Sequence, residues 1–155
     1  MDKQTFVQTY ADIFEHSPWV PERAFSRGPF PDKLSLHAAL VDVVDEAGAE
    51  AQLALIRAHP ELGARIALTH ASTAEQQGAG LKSLTEAEFA EFTALNAAYN
   101  EKFGFPFVIC VRRHTKSSIL AAFAERLAHD PAAERATALA EIYEIAKLRL
   151  EDAKF

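Results

Sequence analysis

The run Phe103-Gly104-Phe105-Pro106-Phe107-Val108-Ile109-Cys110-Val111 settles what kind of fold this chain adopts. Residues 105–111 are apolar at six of seven positions and rich in β-branched side chains, the pattern of a buried strand. A strand needs a partner, and the sequence offers no second run of this kind. The backbone N–H and C=O groups of 105–111 must nevertheless be satisfied. An extended segment threaded through a helical body reconciles the two, with some of its amides left to hold a ligand. The expected fold is therefore all-α: a single compact domain over residues 1–155, of about seven or eight helices, with one extended buried segment at about 105–111.

Upstream of the thread, Thr85 and Glu88 form a capping box that opens a helix. Phe89, Phe92, Asn96, Tyr99 and Phe103 then recur at steps of three and four, giving a strongly aromatic buried face that Gly104 ends. Before it lies RAHPELGARIALTHASTAEQQGAGLKSL, residues 57–84. There His59 precedes Pro60, and the residue before a proline is pushed out of α geometry. A short helix over 50–58, with Leu53 and Ile56 inward, must end at His59, and Pro60 can open another turn. A second short helix is expected over 73–80, capped by Ser72 with Glu75 at its third position and ended by Gly78 and Gly80. At the start of the chain, Asp2 caps a helix whose stripe is Phe6, Tyr10, Ile13 and Phe14, closed by Pro18 and Pro21. Residues 17–32 carry four prolines and read as a loop with at most a short helical turn, pinned by Trp19, Phe25 and Phe30. Leu36, Leu40, Val43, Val44 and Ala47 mark a helix that Gly48 stops. Beyond the thread, a helix from Ser118 buries Ile119, Leu120, Phe123 and Leu127. Asp130-Pro131 caps a last helix running to about Asp152. Its stripe is Ala136, Leu139, Tyr143, Ala146 and Leu150, with Arg149 beside it.

A net charge of -6 argues against nucleic acid as a partner, because a phosphate backbone wants a basic face. The single cysteine, Cys110, excludes an internal disulfide and points to a reducing compartment. The first residues hold no apolar stretch long enough for a signal peptide, and no run approaches the ~18 apolar residues of a membrane span. The last residues are not a peroxisomal tail. The expected location is the cytoplasm, with no membrane partner.

The six histidines, at 16, 37, 59, 70, 114 and 129, form no helical His-x-x-x-His pair, and no cysteine clusters with them, so no metal site is expected. No phosphate loop, dinucleotide fingerprint or nucleophile elbow is present. What remains is an acid–base set. His59 titrates near neutrality and is fixed at a helix junction. Glu75, 16 residues on, is placed to orient or polarise it, and Arg149 can bind an anion bidentately. On residue chemistry alone each also has a structural reading: His59 bonded to local backbone, Glu75 serving its capping box, Arg149 in an ion pair.

One known family matches these pieces in order along essentially the whole chain. They are His59-Pro60-Glu61-Leu62-Gly63, Ser72-Thr73-Ala74-Glu75-Gln76, Leu84-Thr85-x-x-Glu88-Phe89, Leu95-Asn96-x-x-Tyr99, Lys102-Phe103-Gly104-Phe105-Pro106-Phe107 and Leu148-Arg149-Leu150. The chain resembles the 2-oxo-4-hydroxy-4-carboxy-5-ureidoimidazoline (OHCU) decarboxylases, which complete the route from urate to allantoin. The resemblance implies an all-helical, cofactor-free carboxy-lyase that converts OHCU to (S)-allantoin and CO2. It implies catalytic roles for His59 and Glu75, and substrate contacts from Pro60, Ser72, Gln76, Arg149 and the amides around Phe107, Ile109 and Val111. Arg135 competes with Arg149 for the substrate. The partner implied is a small anionic ureidoimidazoline, and a homodimer is expected. Arg112-Arg113-His114 departs from the family, where an arginine followed by a small residue is expected. Two other readings stay open: an all-α interaction module using the aromatic loop from Trp19 to Phe30, and a hydrolase of a cyclic ureide in the same route.

Overall fold

The computed structural model describes residues 1–63 and 69–153, so residues 64–68 of the 57–84 stretch lie outside the described residues. Among the described residues the fold is all-α. Its helices are α1 (Lys3–Tyr10), α2 (Trp19–Ala24), α3 (Lys33–Glu46), α4 (Ala49–Arg57), α5 (His70–Gly78), α6 (Glu86–Phe103), α7 (Lys116–Leu127) and α8 (Pro131–Asp152). Two 3₁₀ turns, Phe25–Arg27 and Val111–Arg113, complete the order. The long α8 is the spine: α3, α4 and α6 pack on it, α7 packs on α6, and α5 packs on the turn that follows the thread.

Most helix ends are set by the residues that the sequence offers for them. Asp2, Asp32, Thr85, Thr115 and Asp130 each accept a hydrogen bond from a backbone N–H in the first turn of their helix. Thr85 and Glu88 close a reciprocal capping box. Gly104 ends α6 in the left-handed region at φ 76°, where a side chain would be strained, and its carbonyl accepts from Arg57 Nε at 3.0 Å. That turn delivers the chain into the thread. Phe105, Phe107, Val108, Ile109 and Cys110 are all buried and non-helical, as expected, but Val111 already belongs to a 3₁₀ turn.

The core is aromatic around α6. Phe107 stacks on Phe123 with centroids 3.7 Å apart and meets the edge of Tyr99 at 5.3 Å. Several expectations are corrected at the level of single elements. Helix α1 ends at Tyr10, and Ile13 and Phe14 are buried from the turns after it. The proline-rich segment holds a six-residue helix, α2, because Pro18 and Pro21 sit at its start, where a missing N–H costs nothing. Its aromatic residues are spent inward: Phe25 and Phe30 pack on Phe6 at 5.4 and 6.0 Å. Leu55 joins Ile56 as the fully buried face of α4, and Leu53 is partly buried against the core. Helix α7 starts two residues before Ser118 because Thr115 and Ser118 make a capping box. The inner face of α8 is Ala138, Ile142, Ile145, Ala146, Arg149 and Leu150, while Ala136 is exposed.

Candidate active site

The site lies where α4 stops, α5 begins and the thread passes between them and α8. His59 is buried just past α4, its backbone N–H bonded to Ile56 O and its ring Nδ1 3.0 Å from Leu55 O. A carbonyl only accepts, so Nδ1 carries the proton and Nε2 keeps its lone pair. Nε2 has no protein partner among the described residues. Burial drives the His59 pKa down to about 4, against the pull of the Leu55 carbonyl and the Glu15 carboxylate, so the ring is neutral at pH 7. After Pro60 the chain turns at Leu62–Gly63 and opens no helix at Pro60 among the described residues. Asn96 Nδ2 ties this turn to α6 through Leu62 O at 2.9 Å.

Helix α5 begins at His70 with Thr69 as its cap, one turn earlier than Ser72 would have placed it. The difference matters for function. Ser72 and Glu75 become interior residues of the helix, released from capping duty. The Ser72 hydroxyl instead donates to Glu15 Oε1 at 2.6 Å. Glu75 takes Arg149 as a fork: Nε to Oε2 at 3.0 Å and Nη2 to Oε1 at 2.8 Å. The end of α5 is a Schellman turn, with Gly80 N–H to Gln77 O at 3.0 Å and Leu81 N–H to Gln76 O at 2.8 Å. Gln76 Oε1 accepts from Gly63 N–H at 3.2 Å, and the amide nitrogen of Gln76 has no partner among the described residues.

Sequence reasoning missed Glu15. It sits after α1, 2% exposed, and is the hub of the polar cluster. Besides Ser72, it accepts from Thr69 Oγ1 at 3.0 Å and from Arg149 Nη2 at 2.7 Å. Burial raises the Glu15 pKa, but the Ser72 bond and the Arg149 charge outweigh it, and the carboxyl is held below its ordinary value. Arg149 is stabilised in its charged form, because Glu75 and Glu15 more than offset its burial. Of its five N–H groups, four are engaged: Nε by Glu75, both on Nη2 by Glu75 and Glu15, and one on Nη1 by Asp12 O at 3.0 Å. The signal available for Glu15 was slight: an acid directly after the apolar pair Ile13-Phe14.

Two expectations about partners change. His59 is oriented by Leu55 O, whereas Glu75 is held on Arg149. Arg135 is remote from the cavity, its Nη2 bonded to Ala49 O at 2.5 Å. The cavity is walled by His59, Pro60, Ser72, Glu75, Gln76, Phe107, Ile109, Val111 and Arg149, together with Leu62, Val108 and Ile145. Apart from Arg135, every residue singled out from the sequence for the site is thus on one wall or another. Along the thread, Val108 O accepts from Arg126 Nη1 at 2.6 Å and Cys110 N–H donates to Glu141 Oε1 at 3.2 Å. The amides of Phe107, Ile109 and Val111 donate to no protein atom among the described residues. No three His, Cys, Asp or Glu side chains among the described residues are grouped to hold a metal ion. No helix among them is long and apolar enough to cross a membrane.

An all-helical body that encloses a neutral imidazole, a carboxylate fork on arginine and unpaired main-chain donors defines a pocket for acid–base chemistry on a small polar molecule. The chain belongs to the OHCU decarboxylase family, whose sequence model matches residues 1–151. A Haloferax volcanii protein named 2-oxo-4-hydroxy-4-carboxy-5-ureidoimidazoline decarboxylase is 45% identical over 98% of this chain and 90% of its own length. The Bacillus subtilis uric acid degradation bifunctional protein PucL is 43% identical over 98% of this chain, which spans 31% of that protein. Among solved structures, the crystal structure of (S)-allantoin synthase superposes with a TM-score of 0.80 at 31% identity over 98% of this chain, which spans 50% of that one.

Proposed function

We propose that this protein is a carboxy-lyase that converts OHCU to (S)-allantoin and CO2 in urate breakdown, without a cofactor. The observation that carries this reading is the meeting of a neutral His59 having a free Nε2 with unpaired thread amides in one small cavity. The substrate carries its own electron sink. When the bond to the carboxyl group breaks, CO2 leaves, the electron pair forms the C=C bond of an enol with the ureide-bearing carbon, and the displaced imine pair stays on the ring nitrogen, which takes up a proton from water. Loss of the hydroxyl proton turns the enol into a carbonyl, and a proton delivered to one face of the ureide-bearing carbon gives the S product. The protein's task is positioning and charge stabilisation.

In this reading Nε2 of His59 takes the hydroxyl proton, since Nδ1–H is committed to Leu55 O. Glu75 and Ser72 face the substrate as polar partners, and Gln76 offers its unspent amide nitrogen to the ureide. The amides at Phe107, Ile109 and Val111 hold the ring, with Pro60 closing one side. Arg149 contributes its remaining N–H to the substrate carboxylate while steadying Glu75. We further propose one domain over 1–155 and a homodimer in the cytoplasm. The family match along the chain supports the first and the lone buried thiol of Cys110 the third, while the second is the expectation that the resemblance carries.

The test generates OHCU from urate in situ, adds the protein and follows the chirality of allantoin by circular dichroism. Formation of S product faster than the spontaneous racemic background is expected. No acceleration, or ring opening without CO2 release, would remove this reading in favour of a cyclic-ureide hydrolase.

A further inference from the structure

We infer that Arg126 is a positioning residue for the reaction: by gripping the Val108 carbonyl it sets the direction of the Ile109 amide in the cavity wall. This deepens the reading above, because it rests on that amide holding the substrate. Arg126 belongs to α7 and is 6% exposed. Its Nη1 donates to Val108 O at 2.6 Å, and its Nε lies 3.0 and 2.9 Å from the two oxygens of Glu134, which is 0% exposed. The Tyr99 hydroxyl donates to the same carboxylate, and the guanidinium lies 4.3 Å over the Phe107 ring.

The geometry of one peptide unit carries the argument. In a trans peptide the C=O and the following N–H are coplanar and point in opposite directions. Holding the Val108 carbonyl toward Arg126 therefore points the Ile109 N–H the other way. The bond from Cys110 N–H to Glu141 fixes the next peptide, with Ile109 C=O opposed to it. Stability alone is a poor reason for this arrangement. Arg126 and Glu134 are an ion pair among Tyr99, Phe107 and Phe123, and such pairs are often replaced by apolar residues at no loss of stability. Among the described residues, the Nη2 of Arg126 is even left buried without a partner. What an apolar residue does not supply is a directional donor to the thread.

Two variants test this: Arg126→Lys, and the double variant Arg126→Met with Glu134→Gln, which leaves no unpaired buried charge. Each is compared with the native chain and His59→Ala for turnover of in situ OHCU. A second readout is the 15N–1H signal of Ile109 on titration with (S)-allantoin. A lysine offers one nitrogen on a flexible stem in place of the rigid guanidinium fork, so the Ile109 donor drifts. The folded variants should lose about tenfold to a hundredfold in kcat/KM, mainly in kcat, and much of the Ile109 shift, whereas a purely structural role would change only the melting temperature. A folded variant with turnover within about twofold of native and the same Ile109 shift overturns the inference. If neither variant folds, the native protein decides: Ile109 must shift with product more than Val108 and Cys110, and equal shifts overturn it. Failure of the native chain itself to accelerate the reaction would instead strike the proposed function.

Discussion

Replacing Glu15 with glutamine probes the hub of the site with almost no change of shape. The native carboxylate accepts three bonds, from Ser72 at 2.6 Å, Arg149 at 2.7 Å and Thr69 at 3.0 Å, at 2% exposure. Hydrogen bonds to charged groups are worth about 1.5–3 kcal/mol each, and a glutamine amide supplies one carbonyl oxygen in place of the two carboxylate oxygens. Arg149 keeps Glu75, so the about 3–5 kcal/mol cost of an uncompensated buried charge is not reached. The expected loss is about 2–3 kcal/mol, seen as a fall in Tm of about 5–10 °C for a chain of this size. The assay is thermal and urea unfolding followed by circular dichroism, beside turnover at a temperature where the variant is folded. Turnover should fall about tenfold, because Ser72 and Arg149 lose the anchor they share. Stability within about 0.5 kcal/mol of native, with unchanged turnover, would refute the claim that Glu15 organises the cluster.

Stability should also fall on acidification. His59 has its folded pKa depressed from 6.5 to about 4, so the unfolded chain binds the extra proton first. The contribution is full above pH 6.5 and is lost as pH falls through 4, by about 3 kcal/mol; Glu15, also depressed, acts in the same direction at lower pH. Urea unfolding between pH 7 and 4 measures this, and the slope should flatten in His59→Leu. Glu75→Gln should keep the fold, since Glu75 caps no helix, yet lose at least about tenfold in kcat because the Arg149 fork needs two acceptor oxygens. Native kcat in that variant would remove Glu75 from the chemistry.

The sequence carried the break points well. A histidine before a proline and a glycine after an aromatic helix are local facts, and both sit where expected, at the end of α4 and the end of α6. The lone strand-like run could only be a thread, since nothing was available to pair with it. Other features depend on partners far along the chain. Thr69 and Ser72 are both competent caps, and the choice between them is tied to Glu15, more than fifty residues earlier, which takes the Ser72 hydroxyl. The expected stripe of α8 holds at Leu139, Tyr143, Ala146 and Leu150 but not at Ala136, because alanines and leucines occur all around the helix and contact with α3, α4 and α6 selects the side that is buried most deeply. Arg149 was placed beside that stripe, but its two carboxylate partners, 134 and 74 residues away, were not legible in the sequence. Arg126 and Glu134 escaped notice for the same reason: a buried ion pair has no periodic signature.

The account rests on a buried neutral imidazole acting beside unpaired amides, and one comparison tests it most directly. Native protein and His59→Ala are added to OHCU formed from urate, and the optical sign of allantoin is followed over time. With the native chain, S product should appear well ahead of the racemic background; with the variant, correctly folded by circular dichroism, the product should be racemic and form at the spontaneous rate. Fast S product from His59→Ala would contradict the account.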